Sequence, residues 1–273
     1  MSTYNPPTLL RELRASYAFV ERNLNLVKRY WGWELAFFVY SLTSSLSVIY
    51  IGKAQGTDAR HLVLYLVIGT LVWAYLRSVF DSISEMIAWE RWEGTIEYTF
   101  MAPISRTTHM LGTALFSVVY GLLRTAVLFL AIGLFVDLDL ARANYVGALV
   151  VGVIGSLSFI GVGIMASILP LLFTERGAEM TFMISGILLL VSGVYYPISV
   201  LPGWMQPLAK ISPATYVLEG MRRTLMEGNG VAQLGDVLVP LVITGVVSIP
   251  IGVWIFLKVE HYAKRTGRLK RSG

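Results

Sequence analysis

Apolar residues in this chain of 273 residues fall in long unbroken blocks separated by polar stretches. A hydrocarbon core takes about 20 apolar residues in a helix. Five blocks meet or approach that length: Trp33–Gly52, Leu62–Phe80, Met110–Val136, Val146–Phe173 and Val237–Leu257. A sixth, Thr181–Tyr196, is shorter and ends at Pro197. Polar stretches separate them at 53–61, 81–109, 137–145, 174–180 and 197–236. The pattern predicts an all-α membrane protein with six transmembrane helices. The period changes ahead of the first block. Leu9, Leu10, Leu13, Tyr17, Val20, Leu24 and Val27 share one helical face, and Arg11, Glu12, Arg14, Glu21, Arg22 and Lys28 share the other. That predicts an amphipathic helix lying in the membrane interface. A soluble helix docked on a partner would carry the same pattern. The chain then divides into a tail with an interfacial helix at 1–32, a six-span domain at 33–257 and a basic tail at 258–273.

Composition agrees with the blocks. The chain is 55% hydrophobic and 14% charged, whereas a soluble domain carries roughly 25% charged residues. So few charges cannot cover a globule facing water. The absence of cysteine excludes disulfides, thiolate metal sites and a cysteine nucleophile. Three histidines, His61, His109 and His261, weigh against a histidine-rich metal centre.

The net charge of +5 is unevenly placed. Six spans put both termini on one side, and 14 of the 22 Lys and Arg residues fall on that side, against six on the other. Arg77 and Arg124 lie inside spans. Basic residues stay on the cytoplasmic side, so both termini are expected in the cytoplasm and the charge needs no nucleic acid to explain it. A mixed, charged segment precedes the first block, so no cleavable signal peptide is expected. The fourth block carries Gly152/Ser156 and Gly163/Ser167, pairs that let helices approach closely. They serve either packing within the chain or a dimer seam. No internal repeat is visible, which disfavours an inverted-repeat secondary transporter.

Two polar segments hold chemistry that a plain connection would lack. The first runs from Glu85 to Arg106 on the cytoplasmic side. Glu90, Arg91, Glu93 and Glu97 can face water there, while Trp89, Trp92, Ile96, Phe100 and Met101 need an apolar partner. That suits either docking to a soluble protein or an interfacial loop anchored by its tryptophans. Gly94 and Pro103 bound a short helix. The second segment runs from Ser192 to Arg223, and its prolines punctuate a stretch that stays apolar. Pro202 can start a short helix, Ser212-Pro213 reads as an N-cap with proline at the first helical position, and Gly228 is the expected stop. Two short helices dipping back into the membrane would need their irregular backbone covered by protein or a wet cavity; a surface cap with no transport role would carry the same pattern.

Together the two segments resemble the permease subunits of type-2 ATP-binding-cassette exporters. The resemblance rests on Glu90, Glu93-Gly94-Thr95-Ile96-Glu97 and Ala102-Pro103-Ile104-Ser105-Arg106. Downstream it rests on Ser192-Gly193, Tyr196-Pro197, Leu201-Pro202-Gly203-Trp204, Ser212-Pro213-Ala214-Thr215-Tyr216 and Gly220-Met221-Arg222. It implies a coupling helix between spans two and three and outer re-entrant helices between spans five and six. ATPase coupling would then fall on Glu90, Arg91, Trp92, Glu93, Gly94, Thr95 and Glu97. An outer gate would fall on Tyr195, Tyr196, Pro197, Trp204, Pro213 and Tyr216. It further implies a permease dimer in the cytoplasmic (inner) membrane, bound to two ATPase subunits that supply ATP and Mg. This chain would bind no cofactor itself, and exported substrates in such relatives are drugs, lipids or lipid-linked glycans.

The residues agree with that division of labour. No G-x-x-x-x-G-K-[ST] phosphate loop is present, and no nucleophile sits beside a base. Glu34, beside Trp31 and Trp33, reads as interfacial. The remaining charges of the spans are Arg77 and Asp81, spaced i,i+4 so that Arg77 can snorkel or pair, and Arg124 near the middle of the third. A charge there is costly unless paired or hydrated, so Arg124 either lines a pathway or pairs with Asp81 or Glu85. Trp73, Tyr75, Tyr120, Tyr195 and Tyr196 either stack on substrate rings or simply pack. The competing functions are a secondary transporter or channel that needs no ATPase, and a lipid-modifying membrane enzyme.

Overall fold

The computed structural model describes residues 9–56, 60–138, 140–173 and 175–266, without the side chains of Leu9 and Arg11. The basic Arg268, Lys270 and Arg271 of the expected tail lie outside the described residues. Twelve α-helices and two 3-10 turns make up the described chain, with no strand among these residues. The amphipathic segment forms α1 (Leu9–Arg29), and α2 (Trp31–Lys53) and α3 (Arg60–Ser84) follow. Two short helices, α4 (Met86–Glu93) and α5 (Ile96–Met101), precede α6 (Arg106–Gly133). The fourth apolar block is broken at Ser167 into α7 (Tyr145–Ala166) and α8 (Ile168–Leu172). Then come α9 (Gly177–Val191), α10 (Gln206–Ile211), α11 (Pro213–Leu225) and α12 (Gly235–Arg265).

Five helical stretches are long and apolar enough to cross a membrane: α2, α3, α6, the α7–α8 run and α12. The sixth block is shorter than its apolar run, because α9 has only 15 residues and ends at Val191. Gly193 turns the chain there with φ +69°. A side chain at that position would be strained, and its Cβ would stand 2.9 Å from the Tyr196 carbonyl oxygen.

Packing centres on α3, α7 and α12. Leu76, Val79 and Ile83 of α3 are fully buried, as are Phe159 of α7 and Leu241 of α12. Tyr75 of α3 hydrogen-bonds Ser156 of α7 inside this core. The small residues of α7 are spent on neighbours within the chain. Gly152 faces Met221, Gly155 faces Val217, Gly161 faces Ser248 and Gly163 faces Ile83. α11 sets Val217 and Leu218 into the same core, against α3, α7 and α12.

Side-chain caps start α6 and α7, while the signals expected at Ser212, Pro202 and Gly228 fall differently. Ser105 accepts from the Thr108 N–H at the start of α6, and Asn144 does the same for Gly147 at the start of α7. Ser212 stands at the N-cap of α11, but its hydroxyl pairs with the Ser192 hydroxyl at 2.7 Å instead of capping. Pro202 starts no helix, since it lies in a turn closed by Met205, and Pro207 opens α10. α11 ends at Leu225, before Gly228, which turns the following loop with φ +76°.

The charges sort the molecule into two ends. α1, α4, α5, the α8–α9 corner and the last turns of α12 meet at one. The loop before α7, α11 and the α9–α10 connection meet at the other, where the Asn144 N–H donates to the Thr224 carbonyl.

Candidate functional site

The segment between α3 and α6 folds as an elbow. Gly94 ends α4 in the left-handed region at φ 73°, with its N–H on the Arg91 carbonyl, and Thr95 N–H reaches the Glu90 carbonyl at 2.8 Å. α5 then runs as the short helix expected between Gly94 and Pro103.

The aromatic side of this elbow is bare, as a docking face would be, but two of its four ionic side chains turn inward. Glu90 and Arg91, which the sequence lets face water, are instead 2% and 7% exposed. Trp89, Trp92, Tyr98 and Met101 are exposed, and only Ile96 of the expected apolar set is fully buried. The cause lies in distant partners. Arg22 of α1 donates to Glu90 Oε1 at 2.5 Å, and His109 Nε2 of α6 lies 3.0 Å from the same oxygen without hydrogen-bond alignment. Phe19 rests on the His109 ring at 4.5 Å. Desolvation pushes the Glu90 carboxyl up, but His109 and Arg22 outweigh it and hold it below the ordinary carboxylate value.

Glu93 is taken up by the chain as well. Tyr30 donates to it at 2.7 Å, and Arg29 lies 3.6 Å away. Arg91 donates to the Pro170 carbonyl at 2.7 Å and the Leu171 carbonyl at 3.0 Å. Arg106 closes the far end of the elbow, donating to the Thr99 and Phe100 carbonyls at 2.8 Å each and to Glu260 of α12 at 3.1 Å. Cationic donors at the last carbonyls of a helix satisfy groups that have no partner within it. Glu97 stays exposed beside Phe100, Met101 and Lys264. Sequence reasoning missed His109, Arg22 and Glu260 as partners, because nothing local marks a contact between elements so far apart.

At the opposite end, Arg222 is the missed residue. It donates to the carbonyls of Gly193 and Val194, closing the turn after α9, and its guanidinium lies 3.5 Å from the Tyr65 ring centroid. Of the expected gate, Pro213 is buried, Tyr196 donates to the Leu190 carbonyl at 2.6 Å and Tyr216 to the Lys210 carbonyl at 2.8 Å. Tyr195 packs at the core's edge and Pro197 is exposed. Trp204, 72% exposed, does not enter the protein interior, and neither does Leu208. Of the rings that could either stack on substrate or pack, Trp73 and Tyr75 pack in the core. Tyr120 instead donates to Glu34 at 3.0 Å.

Arg77 and Asp81 pair as their spacing predicted, at 3.2 Å. Asp81 is therefore taken, and Arg124 has no ion pair among the described residues. Its charge still reaches Asp81 and Tyr120 electrostatically. At the foot of this cluster, burial and then the Asp81 charge push the Glu85 carboxyl up to about 7. Arg124→Leu breaks no ion pair and removes a charge that costs at least about 2.5 kcal/mol mid-span. The variant is expected to melt at or above the parent temperature in detergent, and a clear drop would reveal a partner carboxylate.

The elbow between two apolar helices, with one face locked into the chain and one left bare, is the frame in which kinship becomes decisive. The family model for the ABC-2 type transporter matches residues 17–226. The chain belongs to that family. It is thus a multi-pass membrane permease of an ATP-binding-cassette transporter, the non-catalytic component that associates with an ATP-binding cassette subunit. No curated protein matches this permease.

Proposed function

We propose that this permease is the membrane subunit of an exporter that moves an amphiphilic substrate, a drug, lipid or lipid-linked glycan, outward. A separate ATPase subunit binds ATP and Mg and hydrolyses the nucleotide. In this reading α9 serves as a fifth span and α12 as the sixth, both termini are cytoplasmic, and the protein lies in the inner membrane. α10 and α11 form the outer re-entrant gate, with Tyr195, Tyr196, Pro197, Trp204, Pro213 and Tyr216. Two permease copies pair and carry two ATPase subunits. Arg77, Asp81 and Arg124 border the pathway. If so, Arg124→Leu loses substrate-stimulated ATP turnover while keeping its stability.

One observation carries the coupling assignment: the α4–α5 elbow turns Trp89, Trp92, Tyr98 and Met101 outward while its ionic side chains hold it in place. Bare aromatic and methionine surface at a membrane edge fits a protein partner. The family kinship favours an ATPase in that place over an ATPase-independent transporter or channel. Glu93 is a poor probe of docking because it holds Tyr30 and Arg29. Tyr98 and Met101, each 73% exposed, are better. Tyr98→Ala with Met101→Ala is expected to change stability by less than about 0.5 kcal/mol each and to lose the copurifying ATPase. Full retention of the ATPase would remove this surface from the docking site.

A further inference from the structure

We infer that Arg91 is the positioning residue through which a push on α4 reaches α8 and α9. The inference rests on the reading of the α4–α5 elbow as the coupling segment. By covalent connection the elbow can pull only on α3 and α6. α8 and α9 lie about 80 residues further along the chain, so a push on α4 reaches them only through packing and through side chains that bridge to them.

Arg91 does so with two donors on two successive carbonyls, Pro170 and Leu171, at 2.7 and 3.0 Å. A guanidinium is a rigid planar fork, so two such bonds fix direction as well as distance. The grip is buried, where water competes least. What it grips is a joint. α7 stops at Ala166, Ser167 interrupts, and Pro170 has no N–H to return to the Ala166 carbonyl. α8 can therefore pivot on α7 at little cost in hydrogen bonds.

α8 in turn carries α9. A Cβ at Gly177, the first residue of α9, would stand 2.2 Å from Pro170 Cα and 2.5 Å from Pro170 N. Backbone meets backbone there, so the two helices move as one body. The neighbouring Glu90 ties α4 to α1 and α6 through Arg22 and His109. Adjacent residues thus divide the work: Glu90 anchors the elbow and Arg91 passes its motion to the α8–α9 corner. Arg91 on this view makes no contact with the ATPase.

The chain has no cysteine, so a single label can report on α8. Phe173→Cys, just beyond α8 and partly exposed, takes a spin label in the permease–ATPase complex. The spectrum is compared before and after ATP with vanadate. In the parent the label is expected to change its mobility. With Arg91→Ala added, the ATPase should stay bound while the change at α8 falls roughly tenfold. Arg91→Lys, with charge but no fork, should restore part of it. That conservative variant carries the test alone if the alanine variant does not fold. A full α8 response in either variant overturns the inference. Release of the ATPase by Arg91→Ala also overturns it, because Arg91 would then be a docking contact. A parent permease that binds no ATPase overturns the coupling reading itself, and this inference with it.

Discussion

Glu90→Ala is expected to destabilise the protein by about 3 kcal/mol, near the low end of the cost of breaking a buried ion pair. The loss comes from what remains rather than from what is removed. His109 is buried and keeps its place against Phe19 with no carboxylate beside it. Arg22 is 29% exposed and can turn toward water, which keeps the cost from the top of the range. Glu90→Gln keeps an acceptor and should cost less. pH provides an independent check. The folded carboxyl is held below its ordinary value, so its contribution is present above the unfolded pKa. It is lost as pH falls through the folded pKa. Melting temperature measured from pH 7 down to pH 3 should fall less steeply in Glu90→Gln than in the parent. Parallel curves would show that Glu90 does not carry this dependence.

Gly161→Leu is expected to force α7 and α12 apart. A Cβ at this position would stand 1.9 Å from Ser248 Oγ, 2.6 Å from Ser248 Cβ and 2.9 Å from the Ile249 nitrogen. The hydroxyl can rotate away, but the other two atoms cannot, so α12 would have to leave α7. Overpacking typically costs about 1–3 kcal/mol and occasionally more. Gly161→Ala should sit within that range, and Gly161→Leu beyond it, with loss of a single symmetric gel-filtration peak. Gly186→Ala is the control, because nothing lies within 4 Å of that Cβ. It should be neutral, and a helical alanine even favours it slightly. Equal damage at both positions would mean that general intolerance of glycine replacement, not the α7–α12 contact, is being measured.

Much of this architecture is written locally. Apolar blocks of about 20 residues have few fates other than spanning helices, and α2, α3, α6, α7 and α12 lie where those blocks do. The alternation of faces in residues 9–29 marked α1, and Gly94 and Pro103 bounded α5. The i,i+4 spacing of Arg77 and Asp81 also sufficed, because a helix brings such residues together wherever it sits. The length of α9 was less legible. Its apolar run continues to Tyr196, but the positive φ of Gly193 ends the helix before it.

What the sequence by itself determined is the membrane class, the helix order and the two segments that mark the family. Each follows from residues close enough in the chain to share one helix or one turn. What only the tertiary structure decided is which way the functional charges face. A charged residue in a short polar helix defaults to water unless a partner waits inside. For Glu90 the partner is 68 residues away on α1, and for Arg91 it is a pair of carbonyls about 80 residues away. No local pattern encodes such a meeting. The same holds for Arg222, whose acceptors at Gly193 and Val194 exist only because α11 packs beside the end of α9. Helix formation is decided within a few turns, while the burial of a charge depends on every element that folds against it.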